Sequence, residues 1–347
     1  MNDPPRITVI VPFCNAASTL GACLEAIRSA SPPFDEVIAV DDGSVDNCVE
    51  ICAQKQVRVL RMETRSGPAA ARNRGARAAD GDLLCFLDAD VVTEPDNAEK
   101  IARCFQADSE LAAVFGSYDT SPGDPRFVSQ YRNLLHHVVH QHANVEARTF
   151  WAGCGAVRRD VFLEIGGFDA QRYPEPSVED IEFGLRLHRR GHRIRLEKSL
   201  QVKHLKSWRL FPMLRTDIRC RAWPWSLLIL ERGDEVSDLN VDQAGRWSGA
   251  LVCLAVALIF LSLLPHGPPP ALTVFGALAA LVCAVGLNLK IYRFFARERG
   301  LLFAAGVIPL HLLYFLTGSL TFGTAWIWVR LLRRRPPREE PSGTSAC

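Results

Sequence analysis

The N-terminal part of the chain alternates between two hydrophobic rhythms. Residues 7–12, ITVIVP, form a β-branched run bounded by prolines, the pattern of a strand buried on both faces. Apolar residues then return at Leu20, Cys23, Leu24 and Ile27 with helical spacing, and Ser18 and Thr19 signal where that helix starts. The pair of rhythms recurs, predicting strands over 36–40, 57–61 and 82–87 and helices over 48–55 and 69–79. Such alternation predicts an α/β domain with a doubly wound, mostly parallel sheet. Ligands of these sheets bind beyond the carboxyl ends of the strands. The loops to watch are therefore 13–15, 41–44 and 88–90, all polar and two of them acidic.

After Arg246 the pattern changes. No Asp, Glu, Lys or Arg stands between Arg246 and Lys290, and the apolar runs 248–264 and 271–289 flank the link PHGPPP. Each run approaches the roughly 20 residues of a spanning helix, the first slightly short, so a membrane hairpin is predicted. The link has no Lys or Arg, whereas Lys290, Arg293, Arg297 and Arg299 follow the second run. The positive-inside rule puts that basic loop, and the N-terminal domain, in the cytosol. A third uncharged stretch, 300–329, is longer than one span needs, at roughly 45 Å of helix. One crossing over about 301–330 leaves the basic tail 330–338 outside, while a bend near 318–323 returns it; the sequence leaves both open. The expected organisation is a catalytic domain over 1–202, an interfacial segment over 203–245, a transmembrane region over 246–332, and a disordered tail over 333–347. The expected location is the cell (inner) membrane, multi-pass.

Composition narrows this further. At 48% hydrophobic and 22% charged residues the chain is not a disordered polymer. With 40 basic against 38 acidic side chains, nucleic acid is not an expected partner. Eleven cysteines without a CxxC pair, several inside apolar runs, fit a reducing compartment. The opening MNDPPRITVIVPF lacks the apolar length of a signal peptide, in line with a cytosolic domain.

Five stretches carry candidate chemistry. Asp88 and Asp90 flank Ala89 directly after the strand LLCFL, and two carboxylates so placed can converge on Mg or Mn with a diphosphate as co-ligand, or simply form a turn. VDDGS, 40–44, offers carboxylates to a base or ribose, with a plain Asp-Gly turn as the alternative. GPAAARNRG, 67–75, puts Arg72 on a helix, where it can reach a diphosphate or base edge, or remain solvated. His136, His137, His140 and His142 cluster without Cys or a Glu pair, a weak zinc signal better read as a helix over the acceptor side. From Lys203 to Trp225, six basic residues alternate with Trp208, Phe211, Trp223 and Trp225. This suits a membrane interface or the phosphate of a lipid-linked acceptor.

Taken in order, TVIVPFCNAASTL, VDDGSVDN, ARNRG, FLDADVV, WAGCGAVRRDVFLEIGGFD and VEDIEFGLRL, spread over about residues 7–190, resemble the family 2 glycosyltransferases of the GT-A fold. The resemblance implies a nucleoside pocket at Pro12, Asn15 and Asp42, with Arg72 also on the donor side. It implies a metal-binding DxD at Asp88 and Asp90, with His204 as a further ligand. It makes Asp180 the general base of an inverting enzyme, with Glu179, Trp151 and Gly153 on the acceptor and sugar side. Ser177 is expected to cap the helix that Glu179 and Asp180 begin. The implied reaction moves one sugar from a nucleotide-diphosphate sugar to a membrane-associated, lipid-linked acceptor, with Mn or Mg as cofactor. A processive polysaccharide synthase is the alternative, disfavoured because 216–223 lacks the Gln-x-x-Arg-Trp motif of processive relatives. A non-catalytic nucleotide-binding membrane scaffold is the other.

Overall fold

A computed structural model of the chain describes residues 4–233 and 243–332; the tail 333–347 lies outside the described residues. Strand β1 (Ile7–Phe13) is buried throughout and lies parallel between β2 (Glu36–Asp41) and β4 (Leu83–Leu87), with β3 (Arg58–Arg61) beyond β2. Its side chains alternate between the two faces. Val9 and Val11 join Leu20, Cys23, Leu24 and Ile27 of α1 (Ala17–Arg28), while Ile10 joins Val40 and Ala71 of α3 (Gly67–Ala78). Helix α2 (Cys48–Gln54) also covers the first face through Cys48 and Cys52. A strand sealed on both sides needs the continuous apolar run that 7–12 supplies.

The second half of the sheet is mixed. After β5 (Val91–Thr93), α4 (Asn97–Ala107), β6 (Leu111–Tyr118), α5 (Phe127–His142) and the short β7 (Glu146–Ala147), strand β8 (Cys154–Arg158) inserts antiparallel between β4 and β6. Helices α6 (Arg159–Glu164) and α7 (Glu179–Arg189) follow, and β9 (Arg193–His204) pairs parallel with β6 and antiparallel with β5 and β7. The order is β3-β2-β1-β4-β8-β6-β9-β5, so the doubly wound parallel pattern holds for its first four strands. Two registers fix the candidate site. Cys154 stands opposite Leu87, which brings the start of β8 beside the loop after β4. His204 stands opposite Val91, and the Leu205 N–H donates to the Asp90 carbonyl at 2.8 Å.

Beyond β9, α8 (Leu210–Thr216), a π-helical turn (Asp217–Ala222) and α9 (Trp223–Arg232) follow one another as helix. Leu228 of α9 packs on Tyr173, Val178 and Leu185 of the α/β domain. Helices α10 (Gln243–Ser262) and α11 (Pro270–Leu287) pack together through Ala255, Ala277 and Ala280. Helix α12 (Leu289–Arg299) returns to the α/β domain, where Arg299 donates to Gln130 Oε1 at 2.9 Å and to the Thr120 carbonyl at 2.6 Å.

Helix α13 (Leu301–Ile327) passes through 318–323 without a break and ends in a π-helical turn, Trp328–Leu332. The bend considered from sequence is not taken there. Glycine weakens a helix in water, but in an apolar segment each backbone N–H and C=O must find its partner inside the helix. Three helices, α10, α11 and the run Leu301–Leu331, are long and apolar enough to cross a membrane. Both ends of α13 nevertheless touch elements attached to the α/β domain. Phe303 lies 4.7 Å from Phe127, the first residue of α5, and Trp328 lies 5.9 Å from Trp223 of α9. Midway, Gly249 of α10 crosses Ser319 so closely that a Cβ would come within 2.2 Å of the hydroxyl.

Candidate active site

Four elements deliver the polar groups: the loop after β4, the middle of α3, the start of α7 and the end of β9. Arg72 is central. Its side chain is buried, Nη2 donates to Asp88 Oδ1 at 2.7 Å and Nη1 donates to Glu179 Oε1 at 2.8 Å. Burial alone would lower its pKa, but Asp88 and Glu179 outweigh that and push it above the ordinary arginine value. One guanidinium thus brackets the DxD strand and the helix that begins with Glu179 and Asp180.

Asp180 is held differently. Its Oδ2 accepts from the Ala152 N–H at 3.0 Å and its Oδ1 from the Ile181 N–H at 2.8 Å. Burial, then the adjacent Glu179, raise its pKa to about 7, so it can exchange a proton near neutral pH. The expected Ser177 cap is absent: Val178 occupies the N-cap, and Ser177 instead donates its N–H to Glu179 Oε2 at 2.9 Å. Glu179 reaches back along the helix start, so the hydroxyl is not needed there.

Asp90 and His204 form the second pair, with His204 Nε2 3.4 Å from Asp90 Oδ2. Two ligands at right angles on one Mg-sized cation stand about 3 Å apart, since each bond is about 2.1 Å. The pair fits a shared cation. Asp88 is turned to Arg72 instead, and among the described residues no three His, Cys, Asp or Glu side chains converge to hold an ion alone. Water or a diphosphate would have to complete the shell. The His204 Nδ1 meets the Asn133 side-chain amide, so Nε2 is the nitrogen that faces Asp90. Burial opposes the charge on Asp90, yet hydrogen bonding with His204 and the field of His204 and Lys206 hold its pKa below the usual range.

The residues expected on the donor side lie around the first two loops. Pro12 is buried in β1 opposite Val40. Asn15, at φ 52°, accepts from the Val45 N–H at 2.9 Å through Oδ1 and donates its own N–H to Ser44 Oγ at 3.1 Å, tying loops 13–15 and 41–44 together. Asp42 spends one lone pair of each carboxylate oxygen on the start of α3, accepting from Ser66 at 2.7 Å and Gly67 at 2.8 Å. Gly67 has φ 86°, and a Cβ there would stand 2.1 Å from the Pro174 carbonyl oxygen, so only glycine fits this junction.

Trp151 and Gly153 are coupled: a Cβ on Gly153 would lie 2.4 Å from the Trp151 ring. The glycine makes room for the indole. Trp151 also stands 5.0 Å from Tyr118 and 4.6 Å from His136, and Tyr118 stacks on His204 at 4.2 Å. The histidine cluster is therefore part of the wall. His137 Nδ1 bonds the Tyr118 carbonyl at 2.7 Å and His140 Nδ1 the Gly116 carbonyl at 2.9 Å, while burial pushes the His140 pKa down to about 4. Both rings are fixed by backbone carbonyls. Asn133 and Tyr118 escaped the sequence reading, although Asn133 lies a helical turn before His136 and His137, a spacing that places them together.

Residues 8–166 match the family described as Glycosyl transferase family 2. This segment is a glycosyltransferase family 2 domain. A glycosyltransferase of Haemophilus influenzae, itself uncharacterized, is 30% identical over 193 residues, covering 52% of this chain and 61% of that protein. Glycosyltransferase GlyG of Streptococcus pneumoniae is 34% identical over 126 residues, covering 34% and 42%. The chain thus spans about half the length of the curated relatives it matches. Among solved structures, the mannosyltransferase PcManGT from Pyrobaculum calidifontis, in complex with GDP-Man and Mn2+, superposes with a TM-score of 0.51 at 20% identity, covering 93% of this chain and 86% of that one. The family 2 domain has the GT-A fold, a mixed α/β sheet, followed by the three apolar helices.

Proposed function

We propose that the chain is an inverting, metal-dependent glycosyltransferase that moves one sugar from a nucleoside-diphosphate sugar to a lipid-linked acceptor at the cytosolic face of a membrane. The observation that carries this reading is Arg72, whose single guanidinium binds both the DxD carboxylate Asp88 and Glu179, next to a carboxylate poised near neutrality. The family 2 match and the nucleotide sugar bound by the Pyrobaculum enzyme support it.

The nucleoside lies against Pro12, Asn15 and Asp42, the last with lone pairs left for the base. Arg72 reaches the diphosphate side, and Asp90 and His204 hold the cation. That cation, Mn or Mg, supplies positive charge where the leaving diphosphate gains negative charge. Asp180, oriented by the Ala152 and Ile181 N–H groups, takes the proton of the acceptor hydroxyl. The hydroxyl oxygen then bonds to the anomeric carbon from the face opposite the diphosphate as the bond to the diphosphate oxygen breaks, inverting the centre. Trp151, with Gly153 beneath it, walls the sugar.

For the membrane, we read α10 and α11 as the crossing hairpin. Arg299 ties α12 to the α/β domain, which keeps the basic loop and the catalytic residues on one side. With contacts to Phe127 and Trp223 at its two ends, α13 lies along the enzyme, and Arg330 stays on the cytosolic side.

Nucleotide-sugar turnover by the purified full chain with Mn tests the chemistry. Asp180→Asn, Asp90→Ala and a chelator should each lower it strongly; undiminished turnover in all three overturns the mechanism. Product length on a gel separates single transfer from polymer synthesis.

A further inference from the structure

A cavity of about 1210 Å³ lies between residues 172–177 and one side of the helix formed by α8, the π-turn and α9. Ser177, at one end of that lining segment, stands three residues before Asp180 in the chain. That segment is pinned at both ends. Tyr173 and Val178 pack on Leu228, and the Pro174 carbonyl closes on Gly67.

The helix side is amphiphilic. Phe211, 80% exposed, and Leu227 offer apolar surface, while Arg215 and Arg219, four residues apart, share one face. The other arginines are already engaged: Arg221 with Asp217 at 2.7 Å, Arg132 with the same carboxylate at 3.0 Å, and Arg172 with Glu231 at 2.5 Å. Arg215 and Arg219 have no ion-pair partner among the described residues. Burial and Glu175 push the Cys220 thiol up, while Arg219, Lys206 and Arg215 pull it down, and the lining itself carries Arg172, Arg215 and Arg219 with Glu175 and Glu231.

We propose that this cavity is the acceptor subsite and takes a lipid carried on a diphosphate. Arg215 and Arg219 bind the diphosphate, Phe211 and Leu227 receive the start of the apolar chain, and the hydroxyl-bearing head passes Ser177 toward Asp180. Two guanidiniums on one face suit an anion with several oxygens, and the apolar residues beside them suit the chain attached to it. The proposal rests on the reading of Asp180 as the base.

Binding of farnesyl diphosphate to the full chain in neutral detergent, with excess UDP and GDP present to fill the donor site, tests it without requiring turnover. The expected result is saturable binding, weakened ten-fold or more in the Arg215→Gln/Arg219→Gln double variant and weakened also by Phe211→Ser, with inorganic diphosphate binding less tightly than the farnesyl ester. Both arginines are exposed, so an unchanged melting temperature should accompany the loss. Unchanged binding in the double variant overturns the proposal. So does loss of binding when nucleotide is added, which puts the ester in the donor site, or equal displacement by phosphatidylglycerol micelles, which makes the wall a general headgroup patch. Failure of Asp180→Asn to lower turnover would remove the base while leaving the farnesyl diphosphate result standing.

Discussion

Arg72 and Glu179 form a buried ion pair at 2.8 Å that joins helix α3 to the first turn of α7. Removing one partner of such a pair strands the other charge, at a cost of about 3–5 kcal/mol. Arg72→Met leaves both Glu179 and Asp88 unmatched, so a large drop in melting temperature of the detergent-solubilised chain is expected. Restoration by the double variant Arg72→Met/Glu179→Gln should be partial, since Asp88 remains.

The pH profile should follow Asp180. Its pKa is raised to about 7, and only the deprotonated carboxylate accepts a proton. Turnover should therefore rise with pH through about 7 and fall below it. Asp180→Asn should remove this limb and cost roughly 10²–10⁴-fold in kcat. A profile flat from pH 5 to 8 would rule out Asp180 as the titrating base.

Asn133 touches no substrate in the proposed mechanism but holds the His204 ring through Nδ1. Losing an outer partner of a ligating histidine typically costs about 10–100-fold in metal affinity. Asn133→Ala should weaken Mn binding by that order in calorimetry, whatever it does to turnover. Native affinity in the variant would make Asn133 a packing residue only.

At Gly67, φ 86° and the Pro174 oxygen at 2.1 Å from a built Cβ exclude any side chain without movement. Gly67→Ala must shift 172–177 or the start of α3. A loss of at least about 1–3 kcal/mol in stability is expected. A drop in acceptor binding that exceeds the drop in nucleotide binding would show that the shift is borne by 172–177.

A reporter fused after Cys347 reads the path of α13. If α13 lies along the enzyme, a fluorescent protein that matures only in the cytosol will glow and an alkaline phosphatase fusion will be silent. The reverse pattern would make α13 a third crossing.

Strands β1 and β4 were legible because each is sealed on both faces and so writes an unbroken apolar run, as in ITVIVP and LLCFL, while β3, RVLR with both ends exposed, was legible by its place in the alternation. The loops after them were legible for the same reason, because chemistry at a strand end follows from knowing where the strand ends. The second half hid its order: β8 enters antiparallel, and β9 pairs with β5 across more than a hundred residues of chain, so no local periodicity announces that His204 will face Asp90. Resemblance, not spacing, pointed to that histidine. Asn133 and His136 lie on α5 and Trp151 lies between β7 and β8, so their meeting depends on which face the sheet presents to the helix. The long apolar run at 301–331 was visible as such, but its contacts with Phe127 and Trp223 are tertiary and have no local signature.

Those two contacts, Phe303 on Phe127 and Trp328 on Trp223, make α13 a brace rather than a tether. An enzyme hung from one flexible hairpin could tilt and rise above the bilayer, meeting its acceptor at any height. On the proposed membrane reading, a helix clamped along the domain at both ends gives it one seat, with the arginine wall and Asp180 each at a set depth, and the reach between a lipid's phosphate and its reacting hydroxyl then becomes a ruler, selecting acceptors by length.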